Sequence, residues 1–130
     1  MILVDTSVWV ALLRDQKGAL VQSFRRRTTG EACVLCRFTQ MELLQGARDE
    51  SEWSRLDEYL APQYYLECSQ GTWREAARIF FELRKRGLGV SSPIDCCIAQ
   101  IAIESGALLL HRDRDFERIA RLRPLAVEWF

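Results

Sequence analysis

Short apolar runs alternate with longer amphipathic stretches along the whole chain of 130 residues. The runs have the length of buried strands. In the stretches between them apolar residues return every three or four positions, as on one face of a helix. Strands are predicted at 2–4, 32–35, 64–68, 107–110 and 125–129, and helices at 7–14, 18–27, 39–46, 51–60, 72–86, 93–105 and 115–121. This alternation predicts an α/β fold, a three-layer α/β/α sandwich with a central, mostly parallel sheet.

Composition is typical of one folded domain. Hydrophobic residues make up 48% of the chain, and no linker, repeat or low-complexity segment interrupts it, so we expect a single domain over residues 1–130. No apolar run approaches the roughly 18 residues of a membrane span, and the first residues lack the pattern of a signal peptide. We therefore expect a soluble, cytoplasmic protein. Because the net charge is zero, bulk charge does not indicate a nucleic-acid binder.

The five cysteines favour neither zinc binding nor redox catalysis. Cys33 and Cys36 form a lone C-x-x-C pair, Cys96 and Cys97 are adjacent, and the only histidine is His111. A structural zinc site would need a second ligand pair at suitable spacing. A thioredoxin-type pair should follow a strand, whereas this pair flanks one. We expect buried or half-buried thiols in a reducing compartment.

Four acidic residues lie far apart in the sequence but at equivalent places in the predicted fold. Asp5 and Asp113 follow strands, and Glu42 and Asp95 lie in the first turns of helices. These places share one edge of an open parallel sheet, so we expect the four carboxylates to converge. Carboxylates about 6 Å apart repel by roughly 3 kcal/mol at an effective dielectric of about 20, so one is protonated or a divalent cation neutralises them. Oxygen ligands favour Mg²⁺, with Mn²⁺ as a substitute, and such a site points to phosphodiester hydrolysis.

Each acid also has a local explanation that needs no metal. Asp5 is a suitable N-cap for the helix that follows it. Glu42 closes an S/T-x-x-E capping box, and Asp95 suits the dipole of its helix, although its apolar neighbours leave it without a cationic partner. Asp113 lies in a charged loop beside arginines, where Asp115 is the expected cap of the next helix. These alternatives remain open for each residue taken alone.

Around the four acids lie four short segments: Ile-Leu-Val-Asp-Thr-Ser-Val-Trp at 2–9, Thr-Gln-Met-Glu-Leu-Leu-Gln-Gly at 39–46, Ser-Pro-Ile-Asp-Cys-Cys-Ile-Ala at 92–99 and His-Arg-Asp-Arg-Asp-Phe at 111–116. No single segment is specific. Taken together, in this order and spacing, they resemble the PIN domain, and most closely the VapC-type ribonuclease toxins of bacterial toxin–antitoxin pairs. The resemblance covers nearly the whole chain.

The resemblance implies a Mg²⁺-dependent endoribonuclease toxin with a compact α/β/α fold. Its partners would be a cognate VapB-type antitoxin, an RNA substrate such as a tRNA or rRNA loop, and a second copy in a homodimer. The implied catalytic and metal-binding residues are Asp5, Glu42, Asp95 and Asp113, with Asp115 as a further acid and Thr6 and Ser7 as supporting hydroxyls.

Arg112 departs from the family pattern, because relatives often carry a small polar residue there, commonly Asn. It could bind the scissile phosphate, or it could pair with Asp113 and lower metal occupancy; the sequence leaves both open. RNA must also reach an acidic pit on a neutral protein, so basic side chains should rim that pit. The candidates are Arg112, Arg114, Arg118 and the run of Arg25, Arg26 and Arg27.

The predicted mechanism is in-line attack of a metal-activated water on phosphorus, which leaves 5′-phosphate and 3′-hydroxyl ends. His111 is the alternative general base, although a lone histidine at a strand end is more often structural. Two other functions stay open. A receiver-like phosphoacceptor domain would need a second acid beside Asp5 and a lysine late in the chain. Asp5 is instead followed by Thr6 and Ser7, and no lysine follows Lys85. A PIN-like scaffold that binds RNA or protein without cleavage would keep its effect when Asp5 and Asp95 become alanine.

Overall fold

The computed structural model describes residues 1–90 and 92–130. Its strands are β1 (Ile2–Val4), β2 (Cys33–Cys36), β3 (Tyr65–Leu66), β4 (Leu108–His111) and β5 (Val127–Trp129). Its helices are α1 (Thr6–Leu13), α2 (Ala19–Arg27), α3 (Arg37–Gln45), α4 (Glu50–Leu60), α5 (Thr72–Lys85), α6 (Pro93–Ser105) and α7 (Arg114–Ala120). Every predicted element is present, with its ends shifted by two residues or fewer.

The five strands form one sheet in the order β3-β2-β1-β4-β5, and every pairing is parallel. Leu3 of β1 pairs with Val34 on one side and with Leu109 on the other. The chain moves outward from β1 to β3 and then crosses to β4 on the opposite side of β1. This change of direction is a topological switch point, which opens a crevice at the carboxyl ends of β1 and β4.

Alternate residues of the central strands pack into cores on opposite faces of the sheet. Leu3 and Leu109 face a core formed with buried residues of α5, α6 and α7. Ile2, Val4 and Leu110 face the opposite side, where α1 and α2 pack, and α3 and α4 continue that layer over β2. Helices therefore cover both faces, and the predicted α/β/α sandwich with a parallel sheet is confirmed.

The helix α6 is held at both ends in a way that fixes its first turn at the crevice. The hydroxyl of its N-cap, Ser92, accepts a hydrogen bond from the backbone N–H of Ile94 at 3.1 Å, and Pro93 occupies the first helical position. Gly106 ends the helix at a φ of 63°, a conformation that favours glycine. Although α6 is apolar, neither it nor another described helix is long and apolar enough to cross a bilayer.

The cysteines are free thiols that serve as small apolar residues. Cys36, Cys96 and Cys97 are buried in the core between the sheet and α5–α7. Burial raises the pKa of Cys96 to about 12, so its thiol stays protonated near neutral pH. Three of these positions therefore support the layer beneath the crevice through packing.

Candidate metal centre

Asp5 lies at the carboxyl end of β1, and only 5% of it is exposed. It caps α1, because its Oδ2 accepts a hydrogen bond from the backbone N–H of Ser7 at 2.8 Å. The Ser7 hydroxyl also donates to this carboxylate oxygen and accepts a hydrogen bond from the backbone N–H of Arg112 at 2.9 Å. Ser7 thus ties the end of β1 to the loop after β4, and Asp5 both caps the helix and borders the crevice.

Glu42 reaches the same region from α3, where the Thr6 hydroxyl donates a hydrogen bond to its Oε2. The alternative in which Glu42 closes a capping box is wrong. The helix begins at Arg37, so Thr39 lies inside it with its hydroxyl 3.6 Å from the Cys36 sulfur. Glu42 therefore lies beyond the first turn, and its carboxylate bonds to the residue after Asp5 instead of to a helix cap.

Asp95, Asp113 and Asp115 form a close acidic cluster in the described part of the chain. One carboxylate oxygen from each lies within 4.8 Å of the other two. Asp95 comes from the first turn of α6, whereas Asp113 and Asp115 come from the segment after β4. Two elements that are remote in sequence thus meet at the switch-point crevice.

The cap of α7 is Asp113, so the expectation that Asp115 would cap this helix is wrong. The Asp113 Oδ1 accepts a hydrogen bond from the backbone N–H of Asp115 at 2.9 Å. β4 ends at His111 and α7 begins at Arg114, so Asp113 occupies the position directly before the helix and Asp115 lies within its first turn. Asp115 instead turns inward, where only 5% of it is exposed and Arg118 Nη1 lies 2.5 Å from its Oδ1.

The pKa of Asp95 is raised by burial and by the neighbouring acids. Burial raises this pKa to about 7, and the negative charges of four other carboxylates add to the rise; in decreasing order these are Asp113, Asp5, Asp115 and Glu42. Burial also raises the pKa of Asp5, against the lowering effect of the Ser7 hydrogen bonds. The structure thus brings the four predicted acids and Asp115 into one region.

The donor set fits a hard divalent cation. All five groups offer carboxylate oxygen, which suits Mg²⁺ or Mn²⁺ better than the softer transition metals. Within residues 1–90 and 92–130, no lysine or arginine forms an ion pair with Asp5, Glu42, Asp95 or Asp113; Arg118 pairs with Asp115. A partly buried group of like charges with so little cationic compensation is favourable only when protons or a metal neutralise it.

His111 lies beside the cluster but is a poor general base. It is fully buried, its Nδ1 accepts a hydrogen bond from the backbone N–H of Asp113 at 3.2 Å, and its Nε2 has no partner in the described ranges. Its ring packs edge to face on Phe116 and Trp129 at 5.4 and 5.6 Å. Burial lowers the pKa of His111, so the neutral ring fixes the Asp113 backbone.

Arg112 and Arg114 flank Asp113, and both are exposed. Arg112 forms no ion pair with Asp113 in the described part of the chain; only its backbone contacts the site, through Ser7. Of the two alternatives for Arg112, phosphate binding and pairing with Asp113, the second is not found in the described part of the chain. The arginine side chain instead remains available at the rim of the crevice.

The predicted RNA-binding residues Arg25 and Arg26 lie elsewhere. They occupy the last turn of α2, which leads into the amino end of β2. Asp5 follows the carboxyl end of β1, and β1 and β2 are parallel, so the two arginines lie toward the amino ends of the strands, at the opposite end of the sheet. The structure does not bring them to the acidic cluster.

A groove next to the cluster contains residues that sequence reasoning did not select. Its volume is about 540 Å³, and it is lined by Arg114, Glu117, Arg118, Arg121 and Trp129. Arg121 and Trp129 were not among the predicted site residues. The arginine spacing, four and then three positions, places all three on one helical face and could have identified the groove.

Replacing Ser7 with alanine should weaken the metal centre without removing a carboxylate. The variant loses two hydrogen bonds that orient Asp5 and the loop after β4, so we expect Mn²⁺ affinity to fall by about 10- to 100-fold and stability to fall by about 1–2 kcal/mol. Mn²⁺ titration and thermal unfolding measure both effects. Ser54→Ala, on the exposed side of α4, is the control. Unchanged Mn²⁺ affinity in Ser7→Ala would show that this cross-link does not shape the site.

Comparison with known proteins identifies the family and supports the fold. The PIN domain family matches residues 2–122. The chain is 36% identical over 133 residues to the VapC ribonuclease Mb1587 of Mycobacterium bovis and to ribonuclease VapC11 of Mycobacterium tuberculosis, covering 100% of this chain and 99% of each relative. The fold is similar to that of VapBC2 from Rickettsia felis, solved bound to a promoter DNA fragment, with a TM-score of 0.79 and 20% identity over 100% of this chain and 99% of that one.

The family match and the full-length relatives confirm the resemblance that the four sequence segments indicated. The chain belongs to the PIN domain family, in the group of VapC proteins.

Proposed function

We propose that this protein is a metal-dependent endoribonuclease, the toxin of a type II toxin–antitoxin pair, acting as a single domain over residues 1–130. One observation carries the proposal. Five carboxylates from four separate parts of the chain converge at the switch-point crevice, in a chain whose full-length relatives are named ribonucleases. The acids alone support metal binding, and the relatives support RNA as the substrate class.

The residues that would hold the ion are Asp5, Asp95 and Asp113, with Glu42 and Asp115 joining directly or through water. Mg²⁺ is the ion we propose, with Mn²⁺ as a substitute, because both prefer oxygen ligands. When bound, such an ion supplies Lewis-acid stabilisation of the phosphoryl oxygens and lowers the pKa of nearby water.

The protein's own contribution is to orient the carboxylates before the substrate arrives. Ser7 holds Asp5 through its backbone N–H and its hydroxyl, and Thr6 holds Glu42. His111 accepts from the backbone N–H of Asp113. Groups that are already oriented do not need to reorganise during the reaction, which is the main way a protein stabilises charge in a transition state.

The rim supplies the positive charge that RNA requires. Arg112 and Arg114 are exposed on either side of Asp113, and the guanidinium group suits phosphate oxygens. We propose that Arg112 contacts the phosphate next to the cleaved bond. Sequence-specific proteins usually read unpaired, splayed RNA bases, so a tRNA or rRNA loop is the substrate we favour.

A second groove, between α1, α3 and α4, is the proposed docking place for a VapB-type antitoxin. It measures about 530 Å³ and extends from apolar side chains to Glu42 of the acidic site; its lining includes Val10, Leu13, Leu43 and Leu56 with Arg14 and Arg48. A related fold was solved as a VapBC complex.

We also propose a homodimeric toxin. Co-purification with the product of the short neighbouring reading frame, and light scattering of the free chain, test these two partners.

RNA end-mapping with and without chelator tests the function. In Mg²⁺ the protein should cleave RNA and leave 5′-phosphate and 3′-hydroxyl ends, and excess EDTA should stop the reaction. Asp5→Asn is the control for a contaminating nuclease, because it should bind RNA but not cleave it. Cleavage that continues in EDTA and leaves 2′,3′-cyclic phosphates would overturn the proposal. RNA binding without cleavage in any divalent metal would favour the scaffold alternative.

A further inference from the structure

The groove beside α7 combines a row of arginines with an exposed tryptophan. Arg114, Arg118 and Arg121 lie at i, i+4 and i+7, so their side chains follow one face of the helix over about 10 Å. Trp129, at the end of β5, lines the same groove, with 49% of its surface exposed. A row of guanidinium groups beside an accessible indole is the combination that binds single-stranded nucleic acid.

The indole of Trp129 is exposed but held in place. Trp129 pairs with His111 in the parallel register of β4 and β5. Its ring meets the buried His111 ring edge to face, with centroids 5.6 Å apart. A rigid aromatic platform loses little conformational entropy when a base stacks on it, so the fixed indole favours stacking.

Two of the residues that line the groove adjoin the metal centre. Arg118 donates to Asp115 of the acidic cluster at 2.5 Å, and Arg114 directly follows Asp113. Within residues 1–90 and 92–130, Arg114 and Arg121 take part in none of the ion pairs or side-chain hydrogen bonds, so both guanidinium groups are available for phosphates. An RNA strand with a phosphate at the cluster would therefore meet this groove as it continues along α7.

We propose that this groove is a subsite for single-stranded RNA that flanks the cleaved bond, in which Arg114 and Arg121 contact phosphates and Trp129 stacks on a base. The inference rests on the proposed function, since it extends the path of the same substrate. Glu117, which also lines the groove, opposes the phosphates and limits their number. Because the contacts are to the RNA phosphates and to the face of a stacked base, the subsite should accept many RNA sequences.

Fluorescence anisotropy with a fluorescein-labelled oligouridine octamer in EDTA tests the subsite without cleavage. Trp129→Ala should weaken binding by about tenfold, the loss of one stacked base, whereas Trp129→Phe should bind within about threefold of the unmodified protein. Arg114→Ala with Arg121→Ala should weaken binding and lower the slope of log affinity against log salt by about one unit. Glu117→Gln should tighten binding by about two- to fivefold, because it removes a repulsive charge.

Trp73→Ala and Arg74→Ala are matched controls, because both residues are exposed on α5 and should leave binding unchanged. If Trp129→Ala unfolds, which circular dichroism detects, the phenylalanine, arginine and glutamate variants decide. The proposal would be overturned if the Arg114→Ala/Arg121→Ala variant and Glu117→Gln bound the octamer with the same affinity and the same salt dependence as the unmodified protein. Tight binding of a polyglutamate peptide that these variants abolish, with unaffected RNA binding, would assign the groove to an acidic protein segment and would also overturn it.

Parallel cleavage assays in Mg²⁺ separate this inference from the proposed function. If the octamer binds through Trp129 but no RNA is cut, the proposed function fails and the subsite stands. If RNA is cut, and the variants bind and cut like the unmodified protein, the subsite fails and the proposed function stands.

Discussion

Replacing Asp95 with asparagine should lower metal-dependent RNA cleavage by roughly a hundred- to a thousandfold and make the metal-free protein more stable. The asparagine keeps the size of the side chain but removes a charge that four other carboxylates oppose. Two carboxylates about 5 Å apart repel by about 3 kcal/mol at an effective dielectric near 20, and solvent access reduces that figure. We expect the free energy of unfolding at pH 8 to rise by about 1–2 kcal/mol.

Urea unfolding in EDTA and single-turnover cleavage in Mg²⁺ measure the two effects on the same preparations. Asp57→Asn is the matched control, because Asp57 is exposed on α4 and should change neither quantity. The opposite movement of activity and stability is what identifies a cluster assembled for function. A variant that is less stable than the unmodified protein in EDTA would show that Asp95 serves the fold rather than the metal.

Mg²⁺ affinity should fall by about a hundredfold between pH 8 and pH 5. Metal binding requires ionised carboxylates, and the pKa of Asp95 in the metal-free protein is about 7. At pH 5 a proton therefore occupies this carboxylate and must leave before the ion binds. Isothermal titration of Mg²⁺ or Mn²⁺ across this range, with proton release measured in two buffers, checks the prediction. Affinity that is constant from pH 5 to pH 8 would contradict it.

The same pKa fixes the sign of the stability change in the metal-free protein. An aspartate in the unfolded chain has a pKa of about 4, so folded Asp95 binds its proton more tightly. The stabilisation that comes from this bound proton is complete below pH 4 and is lost as the pH rises to about 7. Asp95→Asn lacks this titration, so its stability advantage should grow over the same interval and stay constant above it. An advantage that does not change with pH would show that Asp95 is not the titrating group.

The order of elements was predictable because local signals agreed with the tertiary fold. Ser92 and Pro93 marked the start of α6, and Gly106 marked its end, as the structure has them. The strand–helix alternation predicted a parallel sheet, and the general rule for such sheets placed Asp5 and Asp113 at one edge. The convergence of the acids follows from these two steps, without any contact being known in advance.

Contacts between remote residues could not be predicted in this way. Ser7 and the Arg112 backbone are 105 positions apart, and Thr6 and Glu42, which share a hydrogen bond, are 36 positions apart. In Asp-Arg-Asp at 113–115, either aspartate could cap α7, and only the length of β4 decides between them. The Trp129 platform depends on strand register, which periodicity does not reveal.

Anomalous diffraction from crystals grown with Mn²⁺ tests metal binding by the converging carboxylates, because it locates the ion without reference to activity. We expect a peak within coordination distance of Asp95, Asp113 and Asp5, with Asp115 or Glu42 as a further or water-mediated ligand. Crystals of Asp95→Asn should lose that peak. Fully occupied Mn²⁺ elsewhere on the protein, with no peak among these carboxylates at pH 8, would contradict it.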